Sequence, residues 1–373
     1  MRILFLNWRC LANPRAGGAE LVTQRIAEHL VRQGHQVTLF TAAFPGARAE
    51  ECMNGVRVIR RGSQLTVHWE AMRWYRRQRG AFDLVVDEVN TIPFFAPLYV
   101  GVPVVAFFHQ LAREVWWYEA PPGLNLLGYL AEPLYLQVYR RVPLVTVSQS
   151  SLESLRAIGL RGPACIIPEA IDIEPLDPLP PVTSKPAQLT LISLGRVVPS
   201  KRVHHAIEAV HLLRRQGIRA HLHIAGGEDP RYRRKLERLV ERLGLREQVT
   251  FHGRVDEVEK RRLLQEAHLL LGTSVREGWG LMVSEANALG TPAVVYDVPG
   301  LRDSTRHLET GYVCERSTPE CLTGGITLLW TQPALYEQMR CRSWKASMIF
   351  TWSRVAEHFS RFLATTSSLI SLA

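Results

Sequence analysis

The sequence predicts an α/β protein built from two parallel-sheet domains. Three observations predict it: apolar strand-like runs alternate with amphipathic helical stretches along nearly the whole chain, one proline-rich segment interrupts that alternation, and 373 residues exceed a single ordinary core. In the first half MRILFLN, QVTLFTA, DLVVDEV, PVVAFFH, LVTVSQS and ACIIPEA read as strands, separated by helical stretches such as GGAELVTQRIAEHLVRQG. Thr91 to Phe108 is free of charges and long enough to raise the question of a membrane span. Pro93, Pro97 and Pro103 would break such a helix, so the reading is a short helix or loop at 93–100 and a buried strand at 103–108. Prolines at 175, 178, 180, 181 and 186, with no apolar periodicity from Asp172 to Gln188, mark a linker or hinge. Beyond it come LTLISLG, a helix near 201–216, AHLHIAG, a charged helix near 230–243, VTFHG and a helix at 256–266. A helical tail begins at about 345.

Composition narrows the function. The formal charge of +10 is carried mostly by arginine, but no finger, RRM or repeat pattern accompanies it, so no nucleic-acid partner is expected. Polyanionic small ligands or a membrane surface explain the charge better. The six cysteines form no C-x-x-C pair and the histidines no H-E-x-x-H cluster, so reduced thiols and no protein-bound metal are expected. Met1 to Asn7 begins as a strand with no secretory pattern, which predicts a cytoplasmic chain.

The densest chemistry lies in Ser274 to Pro292, SVREGWGLMVSEANALGTP. LLLGTS before it reads as a buried strand, VREGWGL as a loop, MVSEANAL as a short helix ended by Gly290, and AVVYD as the next strand. In such a βαβ unit the loop stands at the carboxyl end of a parallel strand, and the N–H groups of the helix start face a crevice where a diphosphate fits. Glu277 in the loop and Glu285 in the helix fall on different sides of the turn, so they can touch different parts of one ligand, a sugar ring and a ribose. Gly278 and Gly280 permit close backbone approach. A solvated loop charge and a helix-surface residue are the plain alternative for an isolated pair of this spacing.

The surrounding pattern resembles the EGFGL…EA…G-P signature of retaining GT-B glycosyltransferases of family 4, with Trp279 where phenylalanine is usual. Further segments resemble the family in order, nearly end to end. Gly17 and Gly18, in GGAE after the first strand, resemble the loop that approaches the donor diphosphate; a generic helix start is the alternative. His109, ending VVAFFH, resembles a histidine near the transferred sugar. SLGRVVPSKR resembles the segment whose cations hold the diphosphate, which assigns Gly195, Arg196 and Lys201, the last one of five lysines in the chain. Gly226 ends a strand as in the family's glycine turn near the nucleotide, with VTFHG and DVPG as weaker scaffold marks. Ile167 to Asp172 (IPEAID) departs from the usual I-P-N-G-hydrophobic-D, with Glu169 and Ala170 replacing a turn that readily takes positive φ. Val147-Ser148-Gln149 replaces a common Ser-Glu.

The resemblance implies a GT-B fold, two Rossmann-like doubly wound domains facing a cleft, with a C-terminal helix returning to the first domain. The expected boundaries are 1–172, a linker at 173–187, a donor-binding domain at 188–344 and the returning helix at 345–373. It also implies transfer from a nucleoside diphosphate sugar with retained anomeric configuration. Glu277 would hold the donor sugar's hydroxyls, Glu285 the ribose, and the backbone of Gly278, Trp279, Gly280 and Leu281 would form a clamp. His109, Glu277, Arg196 and Lys201 would be the catalytic set, with no cofactor and no metal required. UDP and GDP both remain open as the donor's nucleotide, and the acceptor is a glycan or a lipid-linked glycan. His68 to Arg79 and Val115 to Arg141 mix basic, aromatic and apolar residues and could lie against the inner face of the cell membrane as a peripheral contact; helices packed on their own domain are the alternative. A GT-B sugar-nucleotide epimerase, needing no acceptor, and a degenerate sugar-nucleotide or partner-binding module are the competing functions.

Overall fold

A computed structural model of the protein describes residues 1–370, with only the backbone described for residue 184 and residues 367–370. The chain divides into two compact units, 1–113 with 126–170 and 351–373, and 114–125 with 171–350.

In the first unit β1 (Arg2–Leu6), α1 (Gly18–Arg32), β2 (Gln36–Thr41), β3 (Glu50–Met53), β4 (Val56–Arg60), α2 (Val67–Arg77), β5 (Leu84–Asn90) and β6 (Val104–Gln110) follow one another. The short α3 (Val115–Glu119) belongs to the second unit, and α4 (Leu124–Tyr135) belongs to the first from Leu126 onward. β7 (Leu144–Thr146), α5 (Gln149–Ala157) and β8 (Ala164–Ile166) complete the sheet, in the order β3-β4-β2-β1-β5-β6-β7-β8. Every pairing is parallel except β3 with β4. Strands such as Ile3 to Leu6 are continuous apolar runs because both faces of a parallel sheet are covered.

The second unit holds β9 (Leu189–Leu194), α6 (Val203–Arg215), β10 (Ala220–Ala225), α7 (Pro230–Arg242), β11 (Val249–Gly253), α8 (Glu257–Glu266), β12 (Leu269–Gly272) and α9 (Leu281–Ala288). It continues with β13 (Ala293–Tyr296), α10 (Leu301–Ser304), β14 (Gly311–Cys314), α11 (Pro319–Thr331) and α12 (Pro333–Ser347). Its sheet runs β11-β10-β9-β12-β13-β14, all parallel. This is the doubly wound order, whose direction reverses between β9 and β12. The loops leaving those two strands therefore diverge and open a crevice at their carboxyl ends.

Several boundaries differ from the sequence expectation. The tail placed at 345–373 is two helices: α12 runs to Ser347, and only α13 (Trp352–Ile370) belongs to the first unit. There it returns as expected, burying Phe359 at 6.0 Å from the Phe5 ring and 5.8 Å from the Phe107 ring. Residues 371–373 of that tail lie outside the described residues. The segment read as a linker at 173–187 is tied to the second unit. Ile173 is buried there, the Leu176 amide donates to the Ala288 carbonyl at 3.0 Å, and Lys185 Nζ donates to the Gln265 carbonyl at 2.9 Å. Residues 114–125, assigned by sequence to the first domain, group with the second unit through contacts described below.

The sequence reading passed over the β3–β4 hairpin. Its turn is Asn54-Gly55, both at positive φ (50° and 85°), the pair that two-residue hairpins favour. The polar EECM strand that precedes it lacks the apolar alternation that flags a strand. A Cβ on Gly55 would also lie 2.7 Å from Val31 Cγ1. Gly55→Ala should therefore lower the denaturation midpoint by an amount equivalent to about 1–3 kcal/mol, read by thermal unfolding; an unchanged midpoint would show that the turn tolerates a side chain.

Candidate functional site

The reversal of strand order puts two sequence motifs side by side in the second unit. SLGRVVPSKR leaves β9 and SVREGWG leaves β12. Four contacts lace the two loops together. The Val275 amide donates to the Ser200 carbonyl at 2.9 Å, Thr273 Oγ1 donates to the Lys201 carbonyl at 2.7 Å, and the Arg202 guanidinium donates to the carbonyls of Thr273 and Ser274 at 2.8 Å each. Arg202 itself starts α6 in the left-handed region at φ +48° and lies over the Tyr296 ring at 4.9 Å. Sequence reasoning named its neighbour Lys201 and missed Arg202, whose role depends on carbonyls more than 70 residues away.

Inside this frame Lys201 Nζ is paired with Glu277 Oε1, and Ser274 Oγ donates to the same oxygen at 2.6 Å. Both charged side chains are partly exposed, 23 % for Lys201 and 13 % for Glu277, so the pair borders solvent. Glu277 is fixed from behind: its amide donates to the Pro299 carbonyl at 3.0 Å, and a Cβ on Gly300 would fall 2.5 Å from its carbonyl oxygen. The DVPG turn is thus a support for Glu277. Gly280, at φ +94°, starts α9 with no capping side chain, so the helix presents its N-terminus at the same edge. At the neighbouring strand ends, Gly195 donates to the Ala225 carbonyl at 2.9 Å, and a Cβ on Gly226 would lie 1.8 Å from the Gly195 carbonyl oxygen. Only glycine fits at 226.

Arg196 is more open, at 56 % exposure, with Nη1 3.8 Å from Glu119 Oε2. Glu119 also accepts the Ser200 hydroxyl, and Glu114 accepts from Arg276 Nε at 2.6 Å. These contacts are what attach residues 114–125 to this unit.

Two signature residues are tied to neighbours within the unit. The Trp279 ring is buried, donating through Nε1 to Ser284 Oγ at 3.0 Å and meeting Phe350 edge-on at 5.3 Å, so a ligand at this edge meets its backbone. Glu285 pairs with Lys260 Nζ at 2.7 Å, and Lys260 also reaches Glu257 at 2.8 Å. Burial raises the Glu285 carboxyl above its ordinary range, opposed by the Lys260 charge. Lys260 was not singled out from sequence, although it is another of the five lysines. Gly278 and Leu281 flank the loop and the helix start, and Leu281 packs against the core under α9.

In the first unit the sequence-assigned residues stand at the corresponding edge. Gly17 precedes α1 and donates its amide to Glu20 Oε2 at 2.7 Å, while Glu20 Oε1 receives Arg9 Nε at 3.0 Å; Gly18 is the first helical residue. The glutamate of GGAE therefore acts as a helix cap. His109 is buried, with Nδ1 3.1 Å from Glu169 Oε1 and Nε2 3.2 Å from Glu88 Oε2. Among the described residues no group of three or more His, Cys, Asp or Glu is placed to hold a metal ion.

Comparison with known proteins decides the family. The pattern of "Glycosyl transferases group 1" matches residues 180–345, and that of "Glycosyltransferase Family 4" matches residues 16–175. A GDP-mannose-dependent alpha-(1-6)-phosphatidylinositol dimannoside mannosyltransferase of Mycobacterium tuberculosis is 31% identical, across 95% of this chain and 94% of that one. The chain belongs to the group 1 glycosyltransferases.

A phosphatidyl-myo-inositol mannosyltransferase of Mycobacterium leprae is 24% identical, across 94% of each chain. Among solved structures, the glycosyltransferase fold found here superposes on sucrose-phosphate synthase from Thermosynechococcus elongatus with a TM-score of 0.82 at 19% identity, covering 100% of both chains. Anabaena HepE in complex with UDP-glucose gives 0.75 at 18% identity, covering 98% of this chain and 100% of that one. The expected GT-B fold is thereby borne out.

The half-buried Lys260–Glu285 pair gives this glycosyltransferase a measurable signature. Lys260→Met leaves a half-buried carboxylate without its partner and should destabilise the chain by about 1–3 kcal/mol. The double variant Lys260→Met with Glu285→Gln should recover part of that loss in a denaturation cycle; strictly additive losses would show that the two do not interact.

Proposed function

We propose that this glycosyltransferase moves a hexose from a nucleoside diphosphate sugar to a glycan or lipid-linked glycan, with retention of anomeric configuration and without a protein-bound metal. The observation that carries the reading is the Lys201–Glu277 pair, set at the strand-order reversal beside an uncapped helix start. In this reading the diphosphate lies along the β9 and β12 loops, where Lys201 and Arg196 take the charge that develops on the leaving group. Lys201 passes from the carboxylate to the phosphate, which is the denser anion. Glu277 then turns its oxygens to the hydroxyls of the donor sugar, with Ser274 and the Pro299 carbonyl keeping it in place. Glu285 accepts from the ribose, and the Lys260 charge opposes the effect of burial on that carboxylate. The backbone of Gly278 to Leu281 closes over the phosphates, and Gly195 and Gly226 let the nucleotide approach the strand ends.

Retention is supported by the family signature rather than by a carboxylate placed as a nucleophile. The leaving phosphate would draw the proton from the acceptor hydroxyl on the same face of the sugar. A lipid-linked acceptor is supported by two relatives whose names specify phosphatidylinositol-based acceptors. The surface agrees: Leu127, Leu130 and Leu134 of α4 are exposed along one helical stripe, as is Trp69 of α2. α2 itself buries Val67, Ala71, Trp74 and Tyr75, so most of its apolar face is spent on the domain core. No helix among the described residues is long and apolar enough to cross a membrane.

Nucleotide binding without added metal tests the donor assignment. The 31% identical relative that uses GDP-mannose supports a guanine nucleotide. Calorimetry should therefore give the tighter binding with GDP-mannose than with UDP-glucose, and preference for UDP-glucose would reassign the base. Lys201→Ala should keep the fold and lower transfer by about 10²–10³-fold, with EDTA leaving the wild-type rate unchanged. Near-wild-type turnover by the variant would remove Lys201 from the phosphate site.

A further inference from the structure

In the first unit the strand order reverses between β1 and β5, so the carboxyl ends of these strands and of neighbouring β6 mark its crevice edge. Three ionisable side chains meet there. Glu88 comes from β5, His109 from β6, and Glu169 from the segment after β8. All three are buried. The two carboxylates take opposite ring nitrogens, at 3.1 Å for Nδ1 with Glu169 Oε1 and 3.2 Å for Nε2 with Glu88 Oε2. Phe107 lies against the flat face of the ring at 4.5 Å and 19°.

We propose that Glu169 is a positioning residue for His109: together with Glu88 it accepts both ring N–H groups, fixing the imidazole as a doubly held cation that takes no part in proton transfer. The proposal rests on the glycosyltransferase reading above and adds to it that His109 acts as a fixed charge rather than as an acid or base.

The hydrogen-bond inventory carries the argument. A neutral imidazole has one N–H and one lone pair, whereas ionised carboxylates only accept. Two carboxylates that are both ionised are therefore satisfied together only by the imidazolium, and the donors to Glu88 favour its ionised form. Glu88 is committed as an acceptor, since Asn7 Nδ2 donates to the same Oε2 at 2.9 Å and Thr23 Oγ1 lies 2.6 Å from it. The other charges nearby are already paired. Burial raises the Glu88 carboxyl, opposed by the hydrogen bond and charge of His109 and by Thr23; Glu20 of α1, which raises it further, is held by Arg9 and the Gly17 amide, while Asp87 accepts from the Phe94 and Ala96 amides and from Tyr139. Glu169 is thus the second counter-ion to the ring. The IPEAID segment carries this glutamate where the family usually has asparagine, a shorter residue with no charge.

Burial alone would lower the His109 pKa, but the hydrogen bonds and charges of Glu169 and Glu88 outweigh it and push it up to about 10. Below that pH the ring is protonated, so its charge is constant through the neutral range. An ordinary histidine would lose its proton near pH 6.5.

The test is a pH titration of the full chain carrying isotope-labelled histidine, followed by NMR from pH 5.5 to 9, with the His109 signal assigned by its loss in His109→Asn. In the wild type the His109 ring should keep imidazolium shifts throughout. In Glu169→Gln it should titrate inside that window, and kcat for transfer should fall by about tenfold or more across the same midpoint. Glu169→Asp should restore a flat or nearly flat profile. Titration of wild-type His109 near its ordinary value would overturn the proposal, as would a Glu169→Gln variant whose ring stays protonated. The NMR readout needs no turnover, so a flat wild-type titration in a chain that binds no sugar nucleotide would leave the clamp standing and remove the functional reading instead.

Discussion

The pairing of Lys201 with Glu277 is the interaction on which the functional edge of the second unit turns. A lysine and a carboxylate could meet on any protein surface, where such a pair contributes little. Here the partners leave different strands, β9 and β12, and three further residues are arranged to keep their loops in register. Arg202 holds the carbonyls of Thr273 and Ser274, Thr273 holds the Lys201 carbonyl, and Gly300 allows the DVPG turn to press on the Glu277 backbone. The pair is therefore the endpoint of a rigid frame, and its charges are available at a solvent-facing edge because neither side chain is fully buried.

That frame follows from topology. A parallel doubly wound sheet must reverse its strand order once, and the reversal leaves a gap that no crossover helix covers. In the second unit the gap is furnished with a cation, an acceptor carboxylate and a helix start. In the first unit the same position holds the Glu88–His109–Glu169 cluster, capped on one side by Asn7 and Thr23. The Lys201–Glu277 pair borders solvent, whereas Glu88, His109 and Glu169 are buried.

The parts of this arrangement legible in the sequence were those encoded locally. Buried parallel strands announced themselves as apolar runs, and the Ser274 to Pro292 segment carried its loop, helix and stop in adjacent residues. α7 and α8 lie close to the expected 230–243 and 256–266, and in the structure Asp229 and Asp256 each cap their helix through the side chain. What remained hidden depended on distant partners. Nothing near Lys260 indicates that it faces Glu285, and the order of residues cannot show that 114–125 groups with a unit beginning at 171. Nothing near Trp279 in the sequence indicates that its ring is occupied by Ser284 and Phe350. The hairpin at Asn54-Gly55 was legible in its turn and obscured by its polar strand.

The central claim is that the Lys201–Glu277 edge receives the donor, and a crystal structure with a bound nucleoside diphosphate addresses it most directly. The account predicts diphosphate oxygens on Lys201 Nζ and the Arg196 guanidinium, with Glu277 freed toward the sugar side and Glu285 on the ribose. A diphosphate bound elsewhere, with the Lys201–Glu277 pair intact, would contradict it.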